Sequence, residues 1–208
     1  MSGVERLSTA GSAGPIETAV EDPGGQLKHF AVICHPHPLF GGTMENKVVT
    51  TMSRAFFAVG IPTVRFNFRG VGTSAGAFDH GVGETDDADR IADWGMKRWP
   101  DRRLVLAGFS FGAYVALKLA DRRPTAHLTV IAPPVGRFDF SGLIAPDCPW
   151  LVVQGDADEV VDPNAVINWA ESQGPQPRLS VIRGASHFFH GRLREIYDTV
   201  QDAIRSDL

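Results

Sequence analysis

Apolar positions along this chain follow two rhythms. The first is a short, dense run, seen in "HFAVICH" (29–35), "PTVRFNFR" (62–69), "LVLAGF" (104–109), "HLTVIA" (127–132), "PWLVVQG" (149–155) and "RLSVIRG" (178–184). These runs are mostly β-branched and lack clean alternation, the pattern of strands buried on both faces. The second rhythm repeats every third or fourth residue, as on one face of a helix. It aligns Val48, Met52, Ala55, Phe56 and Val59 over 45–59, spaces Ile91, Trp94 and Trp99 over 84–99, and aligns Leu193, Ile196, Tyr197, Val200 and Ile204 over 193–206. Acidic residues crowd the start of 84–99, where the helix dipole favours them. Strands and helices alternating through short connections predict an α/β fold, with a mostly parallel central sheet flanked by helices on both faces. The first 28 residues have weak alternation and many turn residues, predicting one or two antiparallel edge strands. Residues 1–14 are read as part of such a strand or as partly disordered.

Composition narrows the function classes. A chain of 208 residues, 43% hydrophobic and 21% charged, fits one domain spanning 1–208 with a proper core. The net charge of −4 offers no electrostatic footprint for nucleic acid or an anionic membrane, so neither is an expected partner. The start, "MSGVERLSTAGSAGPIE", has no apolar signal core, and no run is long and apolar enough to span a bilayer. A cytoplasmic location is the expectation. Cys34 and Cys148 are placed at opposite edges of the predicted sheet, on the order of 15–20 Å apart. That separation is too great for a disulfide and predicts two free, mostly buried thiols.

The chemistry starts at Gly108-Phe109-Ser110-Phe111-Gly112, which follows the 104–109 strand and opens a helical stretch, "FGAYVALKLA". This is the context a G-x-S-x-G nucleophile elbow requires: glycines allow close backbone approach while the serine sits in a strained turn. A serine hydroxyl needs a base to take its proton and a carboxylate to orient that base. The 149–155 strand runs into "DADEVVDP", offering Asp156, Asp158 and Asp162, and the 178–184 strand runs into "ASHFFH", offering His187 and His190. Serine, acid and histidine thus each follow a strand's C-terminal end, where open α/β sheets place their sites.

The Ser…Asp…His order, with Gly155-Asp156-Ala157-Asp158-Glu159-Val160-Val161 and Gly184-Ala185-Ser186-His187, resembles the α/β-hydrolase superfamily from residue 29 onward. The resemblance selects Asp158 over Asp156 as the acid and His187 as the base, leaving His190 at the surface. "CHPHPLFGGTMENKVV" and "RFNFRGVGTSAGAFDHGVGE" are similar to a group of small, lidless bacterial hydrolases, related to dienelactone hydrolases and carboxylesterases, that carry H-P-H-P-x-x-G-G. Ser110 departs from the cysteine nucleophile of dienelactone hydrolases proper. The resemblance implies an oxyanion hole made from the Phe111 N–H and one from the His35–Phe40 loop. Pro36 and Pro38 have no N–H, which leaves His37, with Leu39 as the alternative. His35 reads as a buttress of that loop rather than as a metal ligand paired with His37, and no metal or organic cofactor is called for. His80 and Glu84 are open between a site contact and a helix-start role, and "RGVGTSAG" (69–76) reads as a rim loop rather than a phosphate loop.

The 16 residues "PPVGRFDFSGLIAPDC" joining the strands at 127–132 and 149–155 are too few for a cap domain, which predicts an open cleft. Phe40, Phe111, Phe138 and Phe140 are candidates to line an apolar acyl site or to serve ordinary packing. The resulting expectation is a serine hydrolase acting on a small-molecule ester or thioester through an acyl-enzyme. An amidase, peptidase or perhydrolase using the same triad, and a non-catalytic binding or scaffold member of the fold, remain open. A homodimer through the edge strand or last helix is left open as well.

Overall fold

The computed structural model describes residues 3–208. The strands are β1 (Glu5–Ala10), β2 (Pro15–Glu21), β3 (His29–Cys34), β4 (Thr63–Phe66), β5 (Arg103–Phe109), β6 (His127–Ile131), β7 (Trp150–Gly155) and β8 (Arg178–Ile182). They form one sheet in the order β1-β2-β4-β3-β5-β6-β7-β8. β1 and β2 run antiparallel to each other, and β2 runs antiparallel to β4. From β4 to β8 every pairing is parallel. Glu5–Ala10 is the edge strand considered for residues 1–14, of which Met1 and Ser2 lie outside the described residues.

The dense apolar runs are explained by burial of both faces. Phe30, Val32, Leu106, Val130 and Val152 face one core, where helices α2 (Val82–Arg98), α3 (Phe111–Arg122) and α4 (Pro163–Glu171) cover the sheet. Ala31, Ile33, Val105, Ile131 and Val153 face the other, covered by α1 (Lys47–Ala58) and α5 (Leu193–Asp207). Such two-sided cover is what crossover connections between parallel strands produce. β8 is the exception: as an edge strand it leaves Val181 exposed.

Three expectations need adjustment. α4 has no counterpart among the predicted helices; its start is fixed by Asp162, whose side chain accepts the Asn164 N–H, with Pro163 at the first helical position. The segment is short, and its apolar residues follow directly on the acid loop, so periodicity alone gives a weak signal. β4 ends at Phe66 rather than running to 69, because Asn67 and Phe68 leave the strand to hold neighbouring loops. Cys34 is not at a sheet edge: its strand, β3, lies between β4 and β5, whereas Cys148 precedes β7. Both thiols are free, Cys34 buried and Cys148 half-buried, and burial pushes the pKa of each upward.

Candidate active site

Ser110 joins β5 to α3 with φ 53° and ψ −121°, a backbone conformation that an L-residue adopts only under constraint. The constraint comes from both sides. The Ser110 N–H donates to Ile131 O at 2.8 Å, extending the β5–β6 pairing, while its carbonyl accepts the Ala113 N–H in the first turn of α3. A Cβ on Gly108 would collide with the Gly112 carbonyl, and one on Gly112 with the carbonyls of Cys34 and His35. The two glycines therefore let α3 close against both its own strand and the end of β3.

The loop after β7 uses three carboxylates for three tasks. Asp158 Oδ1 accepts the Val160 and Val161 N–H groups, each at 2.8 Å, and Oδ2 receives His187 Nδ1–H at 2.8 Å and Gln154 Nε2–H at 3.0 Å. Burial acts to raise the Asp158 pKa, but the His187 and backbone hydrogen bonds outweigh it and hold the carboxyl below its ordinary value. Asp156 instead accepts the Gly184 N–H, and Glu159 accepts the His187 backbone N–H at 3.1 Å. The neighbours of Asp158 thereby tie the histidine loop down at two points. With Nδ1–H committed to Asp158, His187 Nε2 is left to accept the Ser110 hydroxyl, 3.0 Å away. Ser110, Asp158 and His187 are all largely buried, and Phe109 and Phe188 pack on the imidazole. His190 is exposed.

The loop after β3 supplies the facing wall. His35 is fully buried; its Nδ1–H donates to Pro36 O at 2.6 Å and its Nε2 accepts the Phe68 N–H at 3.0 Å. Both ring nitrogens are thus committed to backbone, and burial lowers its pKa to about 4, keeping the ring neutral. His37 Nδ1 accepts the Leu39 N–H, which removes Leu39 as a free donor. No protein acceptor takes the N–H of His37 or of Phe111 among the described residues. Glu84 is a helix-start residue: its carboxylate accepts the Asp79 and Gly81 N–H groups at 2.8 and 2.7 Å. The exposed His80 packs at a tilt against Phe78, which in turn packs on His37. In the 69–76 loop, the Glu17 carboxylate takes the Thr73 N–H, and Arg69 reaches Asp87 on α2 through two hydrogen bonds of 2.9 Å.

This geometry has close relatives. A family model described as X-Pro dipeptidyl-peptidase (S15 family) matches residues 16–146, more than half of the chain. The chain belongs to the S15 family of α/β hydrolases. The hydrolase is 47% identical to an α/β serine hydrolase without a lid from Xanthomonas campestris, covering 98% of this chain and 94% of that one with a TM-score of 0.93. It is 44% identical to an α/β serine hydrolase homologue from Coxiella burnetii, covering 97% of each chain with a TM-score of 0.92. An uncharacterised protein of Rickettsia prowazekii is 38% identical over 183 residues, which is 83% of this chain and 77% of that one. These similarities establish a serine hydrolase of the lidless α/β type.

Without a lid, the hydrolase presents Ser110 at the junction of two lobes. One, of about 340 Å³, includes Pro36, Asn46, His187 and Phe188; the other, of about 230 Å³, includes Phe111, Pro134, Phe138 and Val161. His37, Phe40, Ser110, Arg137 and Val160 line both. Phe40, 85% exposed, and Leu39 form an apolar rim, whereas Phe140 packs on Tyr114 and Trp169 outside the lobes. Gln154, Glu159 and Arg137 were not picked out by sequence reasoning. Gln154 looks like an ordinary strand position, and only its placement one strand-end turn before Asp158 hints at a contact. Among the described residues, no helix is long and apolar enough to cross a membrane.

Proposed function

We propose that the protein cleaves carboxylic esters or thioesters through an acyl-enzyme on Ser110. The observation that carries this reading is the continuous hydrogen-bonded relay from Ser110 Oγ through His187 to Asp158, set at the floor of a cleft beside two unpaired amides. His187 Nε2 takes the hydroxyl proton as Oγ attacks the carbonyl carbon, and Asp158 stabilises the imidazolium. The Phe111 and His37 N–H groups receive the oxyanion, one such donor being worth about 3–4 kcal/mol in the transition state. His187 then gives its proton to the departing alkoxide or thiolate. A water deprotonated by the same nitrogen releases the acid. The leaving atom must lie beside His187 to be protonated, which assigns the larger lobe to the leaving group and the smaller, lined by Phe111 and Phe138, to the acyl chain.

The family description raises a dipeptidyl-peptidase reading. Removal of dipeptides requires recognition of a free N-terminal ammonium, hence a carboxylate in the cleft. The permanently charged side chain lining the two lobes is Arg137, of the wrong sign. Ester or thioester cleavage is therefore the better fit.

The test is fluorophosphonate labelling with peptide mapping, alongside matched ester, thioester and Xaa-Pro anilide substrates. The expected result is one adduct on Ser110, with turnover reduced roughly 10⁴-fold or more in Ser110→Ala. An unlabelled protein with intact folding, or anilide turnover exceeding that of the esters, would overturn the reading.

A further inference from the structure

Among the described residues, Arg137 is the one permanently charged side chain lining either lobe, and it lines both. Its backbone is fixed in a tight turn, with the Arg137 N–H donating to Pro134 O at 3.0 Å and a bridge pairing Val135 with Phe138. The side chain is fixed as well, since Nε donates to Val160 O at 2.7 Å. That single tether uses the inner edge of the guanidinium. No carboxylate among the described residues pairs with it. Asp139, two residues further on, accepts the Ser141 N–H and hydroxyl, and Asp158 is committed to His187 and its own loop. Nη1 and Nη2 therefore have no protein partner among the described residues, on an exposed side chain that lines a largely apolar cleft.

A fork of two parallel N–H donors matches the two oxygens of a carboxylate, and a guanidinium already held by Nε loses little freedom on binding one. From this geometry we infer that Arg137 is a specificity-determining residue that selects substrates carrying a carboxylate a few bonds from the scissile carbonyl. The substrate class is thus an anionic ester or thioester, such as a half-ester of a dicarboxylic acid or an ester of a hydroxycarboxylic acid. The inference rests on the ester reading for its consequence in turnover, but the anion contact itself does not depend on chemistry at Ser110. On the shared wall, His37 Nδ1 accepts the Leu39 N–H, so the ring, which burial favours in its neutral form, carries its proton on Nε2 as a donor and leaves the positive charge of the lobes to Arg137.

The experiment compares kcat/KM for isosteric pairs in the wild type, Arg137→Gln and Arg137→Lys. One arm places the charge on the acyl side: 4-nitrophenyl hydrogen glutarate against 4-nitrophenyl valerate. The other places it on the leaving group: 3-acetoxybenzoate against 3-acetoxybenzamide. In at least one arm the wild type is expected to favour the anion by about tenfold or more, an effect of the size of one exposed charge-assisted hydrogen bond pair. Arg137→Gln should erase that ratio, and Arg137→Lys should keep only part of it. A ratio near one in both arms, or one that survives Arg137→Gln, overturns the inference while leaving ester hydrolysis intact. If no ester is turned over, calorimetric binding of 3-phenylpropanoate against 3-phenylpropanamide still decides: preference for the acid, lost in Arg137→Gln, supports the contact, and equal affinities refute it.

Discussion

Lowering the pH from about 7.5 to about 4.5 adds a proton to His35 in the unfolded chain far more readily than in the folded one. In the folded protein both ring nitrogens are engaged with backbone, Nε2 as an acceptor for the buried Phe68 N–H, and burial brings the pKa from 6.5 to about 4. A depressed histidine pKa means that the unfolded state binds the extra proton between these two values. Its contribution to stability is therefore fully present above about pH 6.5 and is lost as the pH falls toward 4. The loss from His35 amounts to roughly 2–3 kcal/mol by pH 4.5, a large share of a typical folding free energy. His127 acts in the same direction, lowered to about 4 by burial with Asp207 opposing, so it sets the background against which His35 is read. Urea unfolding followed by tryptophan fluorescence across this range should show the wild type losing stability steadily. His35→Gln should start less stable at pH 7.5 and have a clearly flatter profile, by about 2 kcal/mol, than the wild type, and His127→Gln should flatten independently. An unaltered slope in His35→Gln would refute the assignment of a buried neutral ring.

Replacing Asp158 with Asn removes the acceptor that orients His187 Nδ1–H, and ester turnover should fall by roughly 10³–10⁴-fold in steady-state assays with little change in the circular dichroism spectrum. Gly112→Ala drives a methyl group into the Cys34 and His35 carbonyls, and should lower stability by roughly 2–3 kcal/mol in denaturant titration. Glu84→Gln turns a donor-poor carboxylate into an amide facing the Asp79 and Gly81 N–H groups, at a cost of roughly 1–3 kcal/mol in thermal or urea unfolding; no change would remove Glu84 from its helix-start role.

The sheet was legible in the sequence because strands buried on both faces cannot hide: Phe30 to Cys34 and Leu104 to Phe109 have few positions at which a polar residue is tolerated. The strand-end placement of Ser110, Asp158 and His187 followed from the same logic, since parallel strands bring their C-terminal ends to one edge. What the sequence could not display was direction and partnership. Gln154 and Asp158 meet only because a strand residue and a loop residue turn toward one another, and Glu159 earns its role through a backbone N–H that carries no sequence signature. Arg137 sits in an irregular connection, where neither period applies. The position of β3 between β4 and β5 likewise depends on crossover topology rather than on composition, and Cys34 therefore lies inside the sheet rather than at the edge that its sequence context suggests.

The direct backbone contact at Gly112 links the start of α3 to the end of β3, and so joins the Phe111 amide to the loop that carries the His37 amide. Their spacing is set by main chain against main chain, with no intervening side chain to be exchanged. The lobes, in contrast, are lined by Phe40, Phe138, Val160 and Phe188 from surface connections. Pocket shape can therefore drift, or be redesigned by randomising those four positions, without retuning the distance between the two amides. A library built in this way would vary substrate preference while the two amides keep their spacing.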